Sequence, residues 1–471
     1  MKKVTTILFL LPLLMNSVFG QEILDLRQCI TIAQAKNISL KQAALSLENG
    51  KLQVSQNKAN RLPNLNASAG HTYNFGRSID PFTNQFNNQS IQSNNFSLSS
   101  GVILFNGFQI QNSIKQSEQA LAVGTKDLEV LKNNISLSVS SLYLQILLNE
   151  ELLNNFVLQK SVTASQLERA NSMFAAGNVS KSSVVNLEAQ LASDDNLIVS
   201  AKNNIRNSYA QLAALIQMDD YNAYRIAKPE LPKNTDDKMA SLNEIIQKAQ
   251  TLMPEIEREK LRLEQALTGI EIAKGAYYPR LSMFANLNTV YSESRKERYD
   301  IENSFIPVGF VEGSNERVLS PISTYKLKTT AFGQQLSDNF GQSIGLSLSV
   351  PIFNNYRVKN NVELGQIAYR QNELTLESTA LTLKNDIITA YANYENAVAA
   401  LKSAQQNTIA QQLNYDFTSN RFEAGLLNSV ELLNAKNQWN TAQTNLTRAR
   451  YEHIFRKLIL DFYQGLPLRI E

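Results

Sequence analysis

Hydrophobic positions along this chain follow two periods, and the switches between them mark out its elements. Over Asp25 to Asn60, Leu26, Ile30, Ala33, Leu40, Ala44, Leu47 and Val54 recur at helical spacing, which predicts one helix or two. The pattern stops at Pro63, because the residue before a proline is pushed out of the α region. The period then drops to two. Leu65, Ala67, Ala69, His71, Tyr73 and Phe75 alternate with Asn66, Ser68, Gly70, Thr72, Asn74 and Gly76, so one strand face is largely apolar and the other small and polar. A second strand sets Phe96, Leu98, Ser100, Val102 and Leu104 against Asn95, Ser97, Ser99 and Gly101. From Phe108 to Ile216 there is no proline, and the only glycines are Gly124 and Gly177, so helix can propagate with one credible break, at Gly177. That predicts a long helical hairpin.

The whole series then recurs. Tyr356 to Gln464 also lacks proline and holds only Gly365 and Gly425. A single offset of 248 positions matches Phe105 with Phe353, Asn106 with Asn354, Tyr143 with Tyr391, Phe174 with Phe422, Gly177 with Gly425, Asn186 with Asn434 and Gln190 with Gln438. Ahead of the strands the offset is 216, matching Leu26 with Leu242, Ala33 with Ala249, Lys58 with Lys274 and Pro63 with Pro279. Leu281, Met283, Ala285 and Leu287, and then Ile344, Leu346, Leu348 and Val350, repeat the period of two. Duplication therefore predicts a first repeat over residues 21–228, a linker over 229–241 and a second repeat over 242–471. Strands are expected at about 63–77, 94–106, 279–292 and 341–354, and hairpins at about 107–217 and 355–464. The two offsets differ because the second connection between strands, Glu293 to Asn339, exceeds the first, Arg77 to Ser93; it is expected to be a long polar loop.

Strands of about ten residues with one apolar face suit a bilayer-crossing β-barrel, and aromatics near their ends (Tyr73, Phe75, Phe96, Tyr277, Tyr278, Tyr291, Phe340, Phe353) suit interfacial girdles. Four strands cannot close a barrel, and lipid tolerates no open edge, so several chains must contribute. The helices ask for neighbours too: Ile114, Leu121, Leu128, Ile135 and Leu142 recur every seven residues, as do Val184, Leu191, Ile198, Ile205 and Leu212. In the second copy this series becomes Leu432, Trp439, Leu446, His453 and Leu460, which makes His453 a packed histidine.

Composition narrows the compartment. Lys2 and Lys3, an apolar run from Ile7 to Leu14 and small residues at Val18 and Gly20 form a secretory signal peptide over 1–20, too short to span a membrane. The formal net charge is only +3 and charged residues are 18% of the chain, so no nucleic-acid partner is expected. The single Cys29 cannot form an intrachain disulfide and is expected to be a small buried apolar group. With two histidines, no phosphate loop, no nucleophile elbow and no metal-ligand cluster, neither an enzyme nor a cofactor is expected.

The duplicated order of helix, strand, loop, strand and long hairpin resembles the TolC family of outer-membrane exit ducts. Three paired motifs carry the resemblance over essentially the whole mature chain. They are the proline-led entries Leu62-Pro63-Asn64-Leu65 and Tyr278-Pro279-Arg280-Leu281, the strand-to-helix elements Val102 to Gly107 and Val350 to Asn355, and the tip motifs beginning Phe174-Ala175-Ala176-Gly177 and Phe422-Glu423-Ala424-Gly425. The resemblance implies a mainly α chain with a membrane β part. It implies a homotrimer with a twelve-stranded barrel in outer-membrane lipid, continued by a periplasmic α-barrel. Its partners would be a periplasmic adaptor (membrane fusion) protein and an inner-membrane pump of RND or ABC type, in efflux or type I secretion. In the family, acidic residues six and nine positions beyond the tip glycine can line the periplasmic entrance. Here those positions hold Ser183 and Asn186 in the first copy and Glu431 and Asn434 in the second, so only Glu431 is charged. Phe174, Gly177, Phe422 and Gly425 would form the adaptor-docking tip. The competing readings are a periplasmic coiled-coil adaptor, which would not need four amphipathic strands, and an outer-membrane adhesin or receptor using the long loop.

Overall fold

The computed structural model describes residues 22–79, 84–88, 90–218, 220, 224–229 and 239–470. The expected signal peptide and most of the expected linker lie outside the described residues. In chain order the elements are β1 (Glu22–Leu24), α1 (Leu26–Lys36), α2 (Ile38–Ala59), β2 (Asn64–Asn74), β3 (Ser78–Ile79), β4 (Phe86–Asn87), β5 (Ile91–Asn106), α3 (Gln109–Ala175), α4 (Lys181–Ile216) and β6 (Tyr224–Ile226). The second half follows with α5 (Leu242–Leu252), α6 (Pro254–Gly275), β7 (Arg280–Ser292), β8 (Lys296–Phe310), β9 (Arg317–Thr329), α7 (Phe332–Asp338), β10 (Gly341–Ser349), α8 (Arg357–Glu423) and α9 (Ser429–Tyr463). Helices α3 and α8 each run 67 residues, about 100 Å at 1.5 Å per residue.

The chain divides into two compact units, one drawn from the residues up to Gly50, Ala120–Leu263 and those from Gln371 on, the other from Lys51–Gln119 and Glu264–Arg370. The first unit is helical, with the short parallel pair β1 and β6 beside it. Its largest core joins Leu26, Cys29 and Ala33 of α1 to Ile135, Val139 and Tyr143 of α3 and to Leu212 and Ile216 of α4. A second core joins Ile245 and Ala249 of α5 to Leu383, Ile387 and Tyr394 of α8 and Leu460 of α9. The two sequence offsets relate several members of these cores: Cys29 corresponds to Ile245, Ile135 to Leu383 and Leu212 to Leu460. Cys29 thus fills an apolar position, and burial pushes its thiol up to about 12. His453 is buried against the Tyr394 ring, centroid to centroid 5.5 Å.

The second unit holds a four-stranded antiparallel sheet in the order β10-β7-β5-β2. Register places Leu65, Ala67 and Ala69 beside Ser100, Leu98 and Phe96, then Ala285, Leu287 and Thr289, so the apolar positions of all four strands share one face. On the other face Ser68 and Ser97 hydroxyls lie 2.7 Å apart. Apolar side chains interrupt the polarity of that face at Ile103, Val290 and Phe284, and Phe284 lies across Gly345, where any Cβ would sit 2.5 Å from its ring.

Three expectations are corrected. The connection Glu293 to Asn339 is not an irregular loop, because β8 and β9 pair over most of its length and α7 packs back on β7. The fourth strand ends at Ser349 rather than about 354, since Pro351 has no N–H to continue a ladder. Strand β5 keeps its alternation only to Ile103, where a bulge shifts the register before Phe105.

Both strand-to-helix turns are built alike. Gly107 and Phe108 have φ of 64° and 62°, and Asn355 and Tyr356 have 54° and 60°. Each turn closes with an edge-to-face aromatic pair, Phe105 on Phe108 at 5.4 Å and Phe353 on Tyr356 at 5.6 Å. At Gly107 the Gly275 carbonyl oxygen would lie 2.1 Å from a Cβ, so this approach of backbones admits only glycine.

Candidate functional site

Two features bear on function, the returns of the two long hairpins and the four-stranded sheet. The first return closes α3 as a Schellman motif. Gly177, at φ 76°, donates its N–H to the Phe174 carbonyl at 3.0 Å, and Asn178 donates to that of Met173 at 2.8 Å. In the second return Gly425, at φ 73°, donates to Phe422 at 2.9 Å and Leu426 to Arg421 at 2.9 Å. Each ascending helix then starts on a polar cap: Ser180 accepts from the Ser183 N–H, and Asn428 from those of Val430 at 2.9 Å and Glu431 at 3.0 Å.

The side chains around these matched turns differ. Phe174 is 42% exposed, with the Lys181 ammonium 5.7 Å from its ring centroid, whereas Phe422 is 3% exposed and packs with Tyr415 and Leu432. Ser183 is buried and Asn186 half-buried, its amide 3.5 Å from the Ser429 hydroxyl. Glu431 and Asn434 are exposed. The Glu431 carboxylate stands at the N-terminal end of α9, 3.3 Å from the Asn428 amide, where the helix dipole favours negative charge. It makes no pair with Lys436.

Lys436 is instead wholly buried, as is Asp194, and its ammonium lies 3.2 Å from the Asp194 carboxylate. Gln159 and Gln190 each donate to the other carboxylate oxygen at 2.9 Å, and Thr163 bonds both Lys436 and Asp194. Burial pushes the Lys436 ammonium down from its ordinary value, and Asp194 opposes that shift. This cluster joins α3, α4 and α9. A second link, the exposed ion pair Arg169 to Glu423, joins α3 to α8 beside the returns. Sequence reasoning missed both, because their partners stand more than 200 positions apart with no shared local motif.

The sheet offers the other candidate surface. Its apolar face is open, with Leu65 70% and Ile344 72% exposed, and among the described residues neither edge strand, β10 or β2, has a neighbour on its outer side. A sheet of this kind in water would leave both its apolar face and a row of backbone donors and acceptors uncovered. Among the described residues no helix is long and apolar enough to cross a membrane and no group of metal-binding side chains occurs.

Comparison with known proteins gives this arrangement its context. The chain is 22% identical over 441 residues to the outer membrane protein TolC of Escherichia coli, covering 92% of this chain and 80% of that one. It is 21% identical over 419 residues to the probable outer membrane lipoprotein SilC of Salmonella typhimurium, covering 88% and 80%. Among solved structures it shares its fold with CusC (TM-score 0.75, 14% identity, 94% and 92% covered) and with the outer membrane protein VceC of Vibrio cholerae (TM-score 0.70, 15% identity, 94% and 97% covered). Residues 29–216 and 245–454, the two repeats, match the family described as outer membrane efflux protein, and the chain belongs to that family.

Proposed function

We propose that three copies of this chain form one exit duct, each giving four strands to a twelve-stranded barrel in the outer membrane and two helical hairpins to a periplasmic tunnel. The observation that carries this reading is the sheet: its apolar face suits lipid, and its two free edges, β10 and β2, need partners that lipid cannot provide. An antiparallel pairing of β10 with β2 of the next copy satisfies both. Cargo would arrive from an inner-membrane pump, of RND or ABC type, through a periplasmic adaptor that docks on the returns at Gly177 and Gly425. A coiled-coil adaptor has no use for such a sheet.

At the returns, Glu431 is the one charged residue among the four positions expected at the entrance. Three copies around the axis would form a ring of carboxylates, and such rings favour cations. The test is single-channel recording of the purified protein in a planar bilayer. Discrete conductance steps with a modest cation preference are expected, together with block by multivalent cations added on the hairpin side. Glu431→Gln should weaken both. Absence of conductance contradicts the duct, whereas unchanged selectivity and block in the variant would remove Glu431 from the entrance and leave the duct intact.

A further inference from the structure

The hairpin of β8 and β9 is far longer than β3 and β4, the two-residue strands paired at the matching place in the first repeat, and much of its apolar surface is exposed. Ile301, Phe305, Ile322 and Leu327 are all exposed. A two-stranded hairpin on its own is marginal in water, so one of this length and apolarity requires a covering surface. Part of its charge is met within the hairpin. Lys326 pairs with Asp300 at 2.6 Å, Lys328 with Glu297 at 3.1 Å, and the Arg298 guanidinium lies 4.1 Å from the Tyr325 ring centroid.

The base of the hairpin is fixed. The buried Gln335 side chain of α7 donates to the carbonyls of Ser292 and Thr330 and accepts from the Ser292 N–H, tying both stalks together. Arg295 adds bonds to Asp338 and Asn339. The hairpin therefore rises from a defined place, between β7 and the edge strand β10.

A second exposed apolar group lies at the opposite edge. Phe75, 82% exposed, follows directly on β2, and Ile79 and Phe86 of β3 and β4 are exposed as well. Register puts both groups at the same end of the sheet: Asn74 pairs with Ile91, Ser93 with Ser292, and β10 begins at Gly341 opposite Asn288. In a ring of identical subunits every interface is head-to-tail, so the β10 edge of one copy meets the β2 edge of the next. Antiparallel pairing there brings the hairpin of one copy beside Phe75, Ile79 and Phe86 of its neighbour.

We propose that this is what covers the hairpin: β8 and β9 of each copy pack on Phe75, Ile79 and Phe86 of the next, extending the subunit interface beyond the barrel strands. The inference rests on the trimer proposed above. Cross-linking tests it cleanly, because Cys29 is the only cysteine and is buried. With Phe75→Cys and Leu327→Cys in one chain, a bismaleimide applied to intact outer membranes should give covalent dimer and trimer, and either single variant should stay monomeric on a denaturing gel. Phe86→Cys with Ile301→Cys repeats the test at a second pair. Equal cross-linking by a single variant would mean that like residues meet, and it overturns the proposal. So would doubles that remain monomeric while both thiols react with a membrane-impermeant maleimide, or an adduct with a different protein. Native mass of the same variants separates the two claims: trimers without cross-links remove the hairpin contact alone, whereas monomers remove the trimer.

Discussion

The two hairpin returns have the same backbone and different surroundings. Both close with a glycine at φ near 75°, both use the same pair of carbonyl bonds, and both restart on a polar cap. Yet Phe422 is core and its counterpart Phe174 is surface. Lys436 is buried on Asp194, whereas Glu188 and Ala442, at the matching positions of the other copy, make no such pair. Duplication preserved what the chain needs locally in order to turn. It released what depends on neighbours, because the second return packs against elements that the first does not meet in the same way.

Substitutions at matched positions sharpen this contrast. The largest effect is expected at the buried pair. Lys436→Met leaves the Asp194 carboxylate interior and unpaired, a cost of about 3–5 kcal/mol, whereas Glu188→Met, on an exposed site, should stay within about 0.5 kcal/mol. Adding Asp194→Leu to Lys436→Met should recover most of the loss, because an apolar pair carries no buried charge. Thermal unfolding of the detergent-solubilised protein measures all three. If the double variant is as unstable as the single, the cluster does not act through charge pairing.

Next in size is the pair of phenylalanines. Truncating Phe422 to alanine should cost about 3 kcal/mol through the cavity it leaves, and truncating Phe174 less than about 1 kcal/mol. Equal losses would mean that Phe174 is covered in the assembly, and would break the contrast. The smallest difference is expected at the glycines. Gly177→Val and Gly425→Val should each cost about 1–2 kcal/mol, because both force a side chain into the left-handed region while a Cβ would meet open space at either site. Export assays on the two variants then separate their roles: Gly425→Val is expected to abolish export while trimers persist in the membrane, and normal export would move adaptor docking elsewhere.

What was legible in the sequence follows the same division. Period and proline placement located the long helices and the four sheet strands within about five residues, because backbone preference and one-sided burial are local properties. Cys29 was legible as a small buried apolar group, and the structure buries it in a helical core. The β8 and β9 hairpin escaped because its counterpart, β3 with β4, is only two residues per strand, its stem is crowded with charge and both its faces carry apolar groups, so no clean alternation marks it. The Lys436 and Asp194 cluster escaped for a different reason: neither residue is unusual in its own helix, and only tertiary packing joins them.

The claim on which the rest depends is that one chain supplies a third of a closed barrel. Native mass measurement of the detergent-solubilised protein tests it most directly. The account predicts a single species of three chains that retains its β structure; a monomer with its strands intact would contradict it.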